Sequence, residues 1–279
     1  MFMASVKDGP SSLSGGNLTE LVRIGDAVHR STGPWSGAVH ALLTHLEQAG
    51  FDGAPRYRGM DSLDREVLEY IPGECPWNAE ARKSLVALES VARLLRRFHD
   101  AVQSFTSPVD AAWQGGRVAR PGDVICHNDV SPFNTVFEGE RAVAFIDWDL
   151  AGPSRPITDV AYACWWFVPL YRDEPARTVG WESPPPRAVR LAAFCDAYGL
   201  PDDLRATLIG EVVACQVAAA ATIQERGEAW EPGWRELLES GHHNEVLADA
   251  DFARGNSTEW TAAILDGTAP DHVQSTTDR

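Results

Sequence analysis

Positive charge is what this sequence is short of. Its 279 residues carry 24 Lys+Arg against 40 Asp+Glu, a formal net charge of −16. A surface of that sign repels phosphate backbones and anionic lipid, so nucleic acid and membrane are discounted as partners and a cationic ligand is favoured. Acidity is also a plain route to solubility. Cysteine is scarce as well: Cys75, Cys126, Cys164, Cys195 and Cys215 are scattered and odd in number. No Cys-x-x-Cys and no Cys/His pair has metal-ligand spacing, which speaks against a disulfide framework and a zinc site. Buried thiols in a reducing cytoplasm are expected instead. Long apolar runs are missing too. "MFMASVKDGPSSLSGG" contains none that would make a signal peptide, and the apolar stretch 155–170 is interrupted by Pro and Asp, so no membrane span is expected. There is no internal repeat. What is present is an ordinary globular composition, 44% hydrophobic and 23% charged, in a chain long enough for one large domain or two lobes around a core.

The first 73 residues read as strand, strand, helix, strand, strand. "TELVRIGDAVHRS" (19–31) suggests two strands around a Gly-Asp turn. "GPWSGAVHALLTHLEQAG" places Leu42, Leu43 and Leu46 at helical spacing and stops at Gly50. Two short strands at 56–60 and 65–71 then run into a Pro72-Gly73 break. Beyond it the pattern turns helical. "AEARKSLVALESVARLLRRFHDAVQSF" predicts one long amphipathic helix with Leu85, Leu88, Val91, Leu94, Leu95 and Phe98 on one face. Between 122 and 150, "DVIC" and "RAVAFID" are strand-like runs flanking a loop, and helices follow from about 157, with a Pro-rich connection at "SPPPR".

The loop "CHNDVSPFN" carries the chemistry. It offers His127-x-Asp129-x-x-x-x-Asn134 and is followed, after twelve intervening residues, by Asp147-Trp148-Asp149. Transfer of a γ-phosphoryl group asks a protein for a carboxylate that orients and deprotonates the attacking hydroxyl. It also asks for hard oxygen ligands to Mg²⁺, which neutralises charge on the phosphates. The five-residue step from Asp129 to Asn134 lets one loop present the first to the hydroxyl and the second to the metal, and a hairpin return brings Asp147 in. Asp129 and Asn134 are also residue types of turns and caps, and Asp159 could N-cap the helix that begins there.

"CHNDVSPFNTVFEGERAVAFIDWDLAGPSRPITDVAY" resembles the catalytic core of the aminoglycoside phosphotransferase family, small-molecule kinases with a protein-kinase-like fold. The resemblance is strong over 122–162 and weak in the first 73 residues and the helical tail. It implies an α+β two-lobe fold: a small, mainly β N-terminal nucleotide-binding lobe (1–73) and a larger, mainly helical catalytic and acceptor-binding lobe (74–279). It implies ATP and Mg²⁺, with Asp129 as catalytic base and Asn134 and Asp147 as the metal ligands. Trp148 and Asp149 stand where protein kinases have Phe and Gly, and Asp149 would support the site or touch the metal. Asp159 would brace the catalytic loop through backbone N–H groups, and His127 would be a structural member of it. Helix-end His99 is given no chemical role.

At the nucleotide end the resemblance implies phosphate contacts from Gly15 and Gly16, which fit a flexible turn equally well, and from Arg30, whose fork suits phosphate oxygens. Backbone groups of Glu69, Tyr70 and Ile71 would hold adenine before the Pro72 turn. The family usually pairs the cation with a Glu on the following helix; here that position holds His40, so either His40 makes a hydrogen bond instead or another carboxylate, such as Glu47, substitutes. The expected function is ATP·Mg²⁺-dependent transfer to a hydroxyl of a small molecule, an aminoglycoside or related antibiotic by analogy. A nucleotide-binding pseudokinase, a kinase for a choline-like, sugar or amino-acid metabolite, and a metal-dependent hydrolase using Asp129, Asp147 and Asp149 are the alternatives. Sequence does not choose the acceptor, ATP over GTP, or the oligomeric state.

Overall fold

The computed structural model describes residues 11–13, 21–75, 80–231 and 233–266. Strands β1 (Ser11–Leu13), β2 (Leu21–Ile24), β3 (Ala27–Arg30), β4 (Tyr57–Met60) and β5 (Glu66–Glu69) form an antiparallel sheet in the order β1-β2-β3-β5-β4. The β2–β3 hairpin closes over Gly25-Asp26, where Gly25 takes φ +63, a conformation that suits a residue without Cβ. Helix α1 (Ser36–Gln48) crosses between β3 and β4 and buries Ala38, Val39, Leu42, Leu43 and Leu46.

The chain leaves the sheet through Pro72-Gly73. Gly73 has φ +140, and a Cβ there would lie 2.5 Å from Val136 Cγ1 and 2.6 Å from the Phe137 carbonyl oxygen. Only glycine lets the backbone come this close. Glu74 then exchanges two backbone hydrogen bonds with Phe137, at 3.0 and 2.8 Å, so the connection is stitched to the strand that carries Phe137.

The long helix expected over 79–105 is cut in three. A 3-10 turn at Glu80–Lys83 precedes α2 (Leu85–Ala101), and a second follows at Val102–Ser104. Ser84 is the reason: it is extended (φ −63, ψ 135) and its hydroxyl accepts from Ala87 N at 3.2 Å, an N-cap that starts the helix anew. Leu88, Val91, Leu94, Leu95 and Phe98 form the buried face as expected, but Leu85 in the first turn stays exposed.

Three elements frame the catalytic loop: β6 (Val124–Cys126), β7 (Thr135–Glu138) and β8 (Arg141–Phe145). The two runs expected to flank the loop do flank it but do not pair with each other. β7 pairs with β8, Thr135 opposite Phe145, while β6 pairs with β9 (Gly152–Ser154) beyond the Asp-Trp-Asp segment. The remaining helices are α3 (Pro156–Phe167), α4 (Asp173–Thr178), α5 (Arg187–Tyr198), α6 (Asp202–Glu228), α7 (Trp234–Glu239), α8 (His242–Gly255) and α9 (Ser257–Leu265). Among the described residues α6 is long and apolar enough to cross a membrane by length and composition, a stretch the sequence reading passed over. Its Leu208, Ile209, Val212, Ala220 and Ile223 are instead buried among α3, α7, α8 and α9.

Candidate active site

Asp159, in the first turns of α3, is fully buried beneath the loop. Its Oδ2 accepts from the His127 backbone N–H at 2.8 Å and its Oδ1 from the Asn128 N–H at 2.6 Å. It does not cap its own helix, whose N-cap is Arg155. Burial pushes the Asp159 carboxyl up, but the His99 hydrogen bond and the charges around it more than offset this, and it lies below the usual range. His99 is therefore not an idle helix end. It is buried, with Nε2 3.1 Å from Asp159 and Nδ1 2.7 Å from the Tyr198 hydroxyl, and fixes the far side of the brace.

Two further residues lock the loop. Asn128 adopts φ +62, rare for a residue with a Cβ, and its Nδ2 reaches the carbonyls of Cys126, Leu150 and Gly152 at 3.0–3.3 Å. His127 donates from Nε2 to the Ile146 carbonyl at 3.1 Å and packs against Trp148, ring centroids 4.5 Å apart. Burial lowers its pKa, so it is a neutral packing and hydrogen-bonding group.

These contacts set Asp129 beside Asn134, whose Nδ2 donates to Asp129 Oδ2 at 2.7 Å and to its carbonyl at 3.1 Å. Burial drives the Asp129 carboxyl up to about 7; the Tyr162 phenol and the Asn134 amide pull it down, and the charges of Asp147 and Asp159 push it further up. A carboxylate poised there exchanges a proton readily near neutral pH. With its NH₂ engaged, Asn134 keeps Oδ1 for a cation. Ile146 N donates to the Asn134 carbonyl at 2.9 Å, extending the β7–β8 ladder and bringing Asp147 alongside. Asp147 adopts φ 60, ψ 70, and its side chain is half exposed. Two hard oxygen donors, one anionic and accessible, fit Mg²⁺.

Arg30 arrives at the end of β3. It is buried at 7% exposure and meets three carboxylates. Nε donates to Glu66 Oε1, Nη1 to Asp147 Oδ1 at 3.2 Å and Nη2 to Asp149 Oδ1 at 2.5 Å. Three of its five N–H groups are so engaged, leaving one on each terminal nitrogen for an incoming anion. Asp149 is drawn into the cluster from a position where burial raises its pKa against the pull of Arg30. Glu66, which the sequence reading missed, lies directly opposite Arg30 in the β3–β5 register and is 1% exposed. Its signal was an acidic residue on the inward face of β5, shared with Leu68. His40 Nε2 donates to Glu66 Oε2 at 2.5 Å, while Glu47 is exposed at the far end of α1 and takes no part.

At the expected adenine segment, Glu69 N donates to the Arg56 carbonyl at 2.9 Å and Tyr70 N to that of Asp26 at 2.8 Å. Of the three residues, only Ile71 keeps an N–H without a partner among the described residues, which narrows the expectation. Gly15 and Gly16 lie outside the described residues. The three carboxylates of the hydrolase alternative do not converge as a ligand set. Among the described residues the group with that closeness is His99, Cys126 and Asp159, all buried. Its His and Asp are already committed to the loop and to Tyr198.

Residues 108–204 match the phosphotransferase enzyme family. The chain is 36% identical over 259 residues, 85% of its own length and 97% of the relative's, to the trifolitoxin immunity protein of Rhizobium leguminosarum bv. trifolii. It is similar in structure to a choline/ethanolamine kinase family protein from Mesorhizobium loti (TM-score 0.62, 14% identity, 94% of either chain). A microcompartment-associated aminopropanol kinase superposes with TM-score 0.55 at 15% identity over 93% of this chain and 94% of that one. Wild-type aminoglycoside 2'-phosphotransferase-IIIa in its GDP complex gives 0.53 at 14% identity, with 92% and 94% covered. Identities this low speak to fold alone: protein-kinase-like, with a β-sheet first and helices after, as the sequence reading expected.

Proposed function

The chain belongs to the phosphotransferase enzyme family, and from that premise we propose that it moves the γ-phosphoryl group of ATP to a hydroxyl of a small molecule. The observation that carries this reading is one connected constellation: Asp129 hydrogen-bonded to Asn134, Asp147 beside them on the hairpin, and Arg30 reaching Asp147 from the other sheet. Asp129 orients the acceptor hydroxyl and takes its proton. The hydroxyl oxygen forms a bond to the γ-phosphorus as the bond to the bridging oxygen breaks, and the electron pair leaves with ADP. Asn134 Oδ1 and Asp147 would hold Mg²⁺, which when bound neutralises charge on the phosphate oxygens. Arg30 contacts the leaving diphosphate through its two remaining N–H groups. Asp149 supports Arg30, and Asp159 with His127 keeps the loop in place. The Ile71 N–H offers adenine an edge, with Gly15 and Gly16 assigned to the phosphates. We read 1–73 as the nucleotide lobe and 74–279 as the catalytic lobe, hinged at Gly73. Five free cysteines suit a cytoplasmic location.

Two acceptor classes follow from the relatives. Likeness to aminoglycoside phosphotransferases suggests a polycation. Likeness to the immunity protein suggests a toxin as acceptor, inactivated by phosphorylation. The pairing of carboxylates bears on the choice. Many carboxylates of the C-terminal helices are held by the protein's own arginines: Glu211 by Arg155, Asp249 and Glu245 by Arg172, Glu231 by Arg226, Glu239 by Arg235. Asp203, Glu225, Glu236 and Glu259 have no ion-pair partner among the described residues, so carboxylates for a polycation remain and both classes enter the test. The test is ATP turnover against aminoglycosides, amino alcohols, sugars and a peptide toxin, reading product as a mass gain of one phosphoryl group, with Asp129→Asn as control. Thermal stabilisation by ATP·Mg²⁺ without turnover on any acceptor, and without ATP hydrolysis, would leave the pseudokinase reading.

A further inference from the structure

We infer that Glu66, on the strand beside Arg30, is the carboxylate that steadies the phosphate-facing arginine, and that His40 of α1 is the positioning residue that holds it. This rests on the phosphoryl-transfer reading of the site.

Arg30 and Glu66 are register partners on adjacent strands, so the sheet itself brings them together. Both Glu66 oxygens are used, Oε1 by Arg30 Nε and Oε2 by His40 Nε2, and the carboxylate cannot rotate without losing one bond. The His40 ring is held in turn, stacked on Tyr57 with centroids 3.8 Å apart and planes 11° from parallel. A Glu at position 40 would face Glu66 as a like charge in a buried place. The two features therefore form a matched pair: an acid on the strand requires a donor, not an acid, on the helix. Fixed this way, Arg30 has its Nε edge closed and presents only its terminal nitrogens to Asp147, Asp149 and the nucleotide. The hydrogen bond also ties α1 to the clamp, so helix and arginine are set together.

The test measures ADP·Mg²⁺ and ATP·Mg²⁺ affinity by calorimetry, with nucleotide KM and acceptor KM measured separately. Glu66→Gln and His40→Glu are each expected to weaken nucleotide binding about tenfold, the scale of one charge-assisted contact. The double variant His40→Glu/Glu66→Gln, which puts the acid on the helix, is expected to recover most of that loss. His40→Gln, still a donor, is expected to stay within about threefold of the parent while His40→Ala does not. Acceptor KM should not move in any of them. Losses that simply add in the double variant, or His40→Ala with parental affinity, would overturn the positioning role of His40. Should Glu66 variants fail to fold, the His40→Gln and His40→Ala pair decides alone. If the unaltered protein binds neither nucleotide, the phosphoryl-transfer reading falls and takes this inference with it; if it binds and the variants behave alike, only this inference falls.

Discussion

The loop at 127–134 and the arginine clamp meet through Asp147 but draw their residues from very different spans of chain. The loop is assembled from residues 127–134 and a brace at Asp159, with bonds no more than 32 positions apart inside it. Its geometry is set by short backbone contacts and by the left-handed Asn128. The clamp joins Arg30 to Glu66 through sheet register, Glu66 to His40 of α1, and Arg30 to Asp149 across 119 positions. A local device tolerates little change in its own residues, because each is held by two or three neighbours. A device built from distant elements can trade residues between those elements, as long as charge and donor count are kept.

The loop should therefore break hard and the clamp should degrade by steps. Asp129→Asn is the largest expected effect: turnover falls about 10³-fold, the scale of a positioned general base, while nucleotide affinity changes little. The same variant gives a second readout in the nucleotide-free protein. Burial holds the Asp129 carboxyl at about 7, well above its unfolded value of 3.8. The folded state keeps a proton that the unfolded chain has released, so wild-type stability declines as pH rises from about 4 to 7 and is flat beyond. Asparagine does not titrate. The melting temperature of Asp129→Asn relative to wild type should rise between pH 5 and pH 8; a constant difference would mean the carboxylate is better solvated than its surroundings imply.

Asp159→Ala comes next. It strands two backbone N–H groups and His99 in a buried place, and a loss of about 3 kcal/mol is expected by chemical denaturation, with activity falling in parallel. If the fold were unaffected, the loop would not depend on its brace and the contrast with the clamp would vanish. Arg30→Lys should be milder. It keeps the charge but gives up the forked geometry that serves Glu66, Asp147 and Asp149 at once, and about a tenfold loss of nucleotide affinity with near-normal stability is expected. A 10³-fold loss there would place the clamp in the same all-or-none class as the loop.

What could be read from the sequence follows the same division. The spacing of Asp129, Asn134 and Asp147 was legible because one loop and one hairpin carry all three. The helical spans of α1 and α2 were legible from their apolar spacing, though not the break at Ser84, where a capping serine interrupts an otherwise continuous pattern. The β2–β3 hairpin was legible from its Gly-Asp turn, but strand pairing around the loop was not: β8 takes β7 as its partner and β6 takes β9, and nothing in short apolar runs specifies that choice. The same ignorance of register hid Glu66, since its role exists only opposite Arg30. His99 was hidden for another reason. A histidine in the last turn of a helix is the common way to meet the helix dipole, and only the docking of α2 against α3 and α5 shows that this one faces Asp159 and Tyr198.

The smallest expected effect lies where the loop meets a helix it does not share sequence with. Tyr162 stands one turn after Asp159 on α3, and its phenol lies against the Asp129 carboxylate, favouring the ionised form. Burial and the charge of Asp129 raise the phenol's own pKa well above 10, so it remains a donor throughout the working range. Tyr162→Phe removes that donor and leaves the ring. Without it the Asp129 carboxyl should titrate higher, so the acid limb of the turnover profile moves to higher pH. Turnover at pH 7 should fall about threefold, within the net worth of one hydrogen bond, and approach wild type at pH 9. An unshifted profile with uniformly lower turnover would make Tyr162 a packing residue only, and the base would then owe its poise to burial and Asn134 alone.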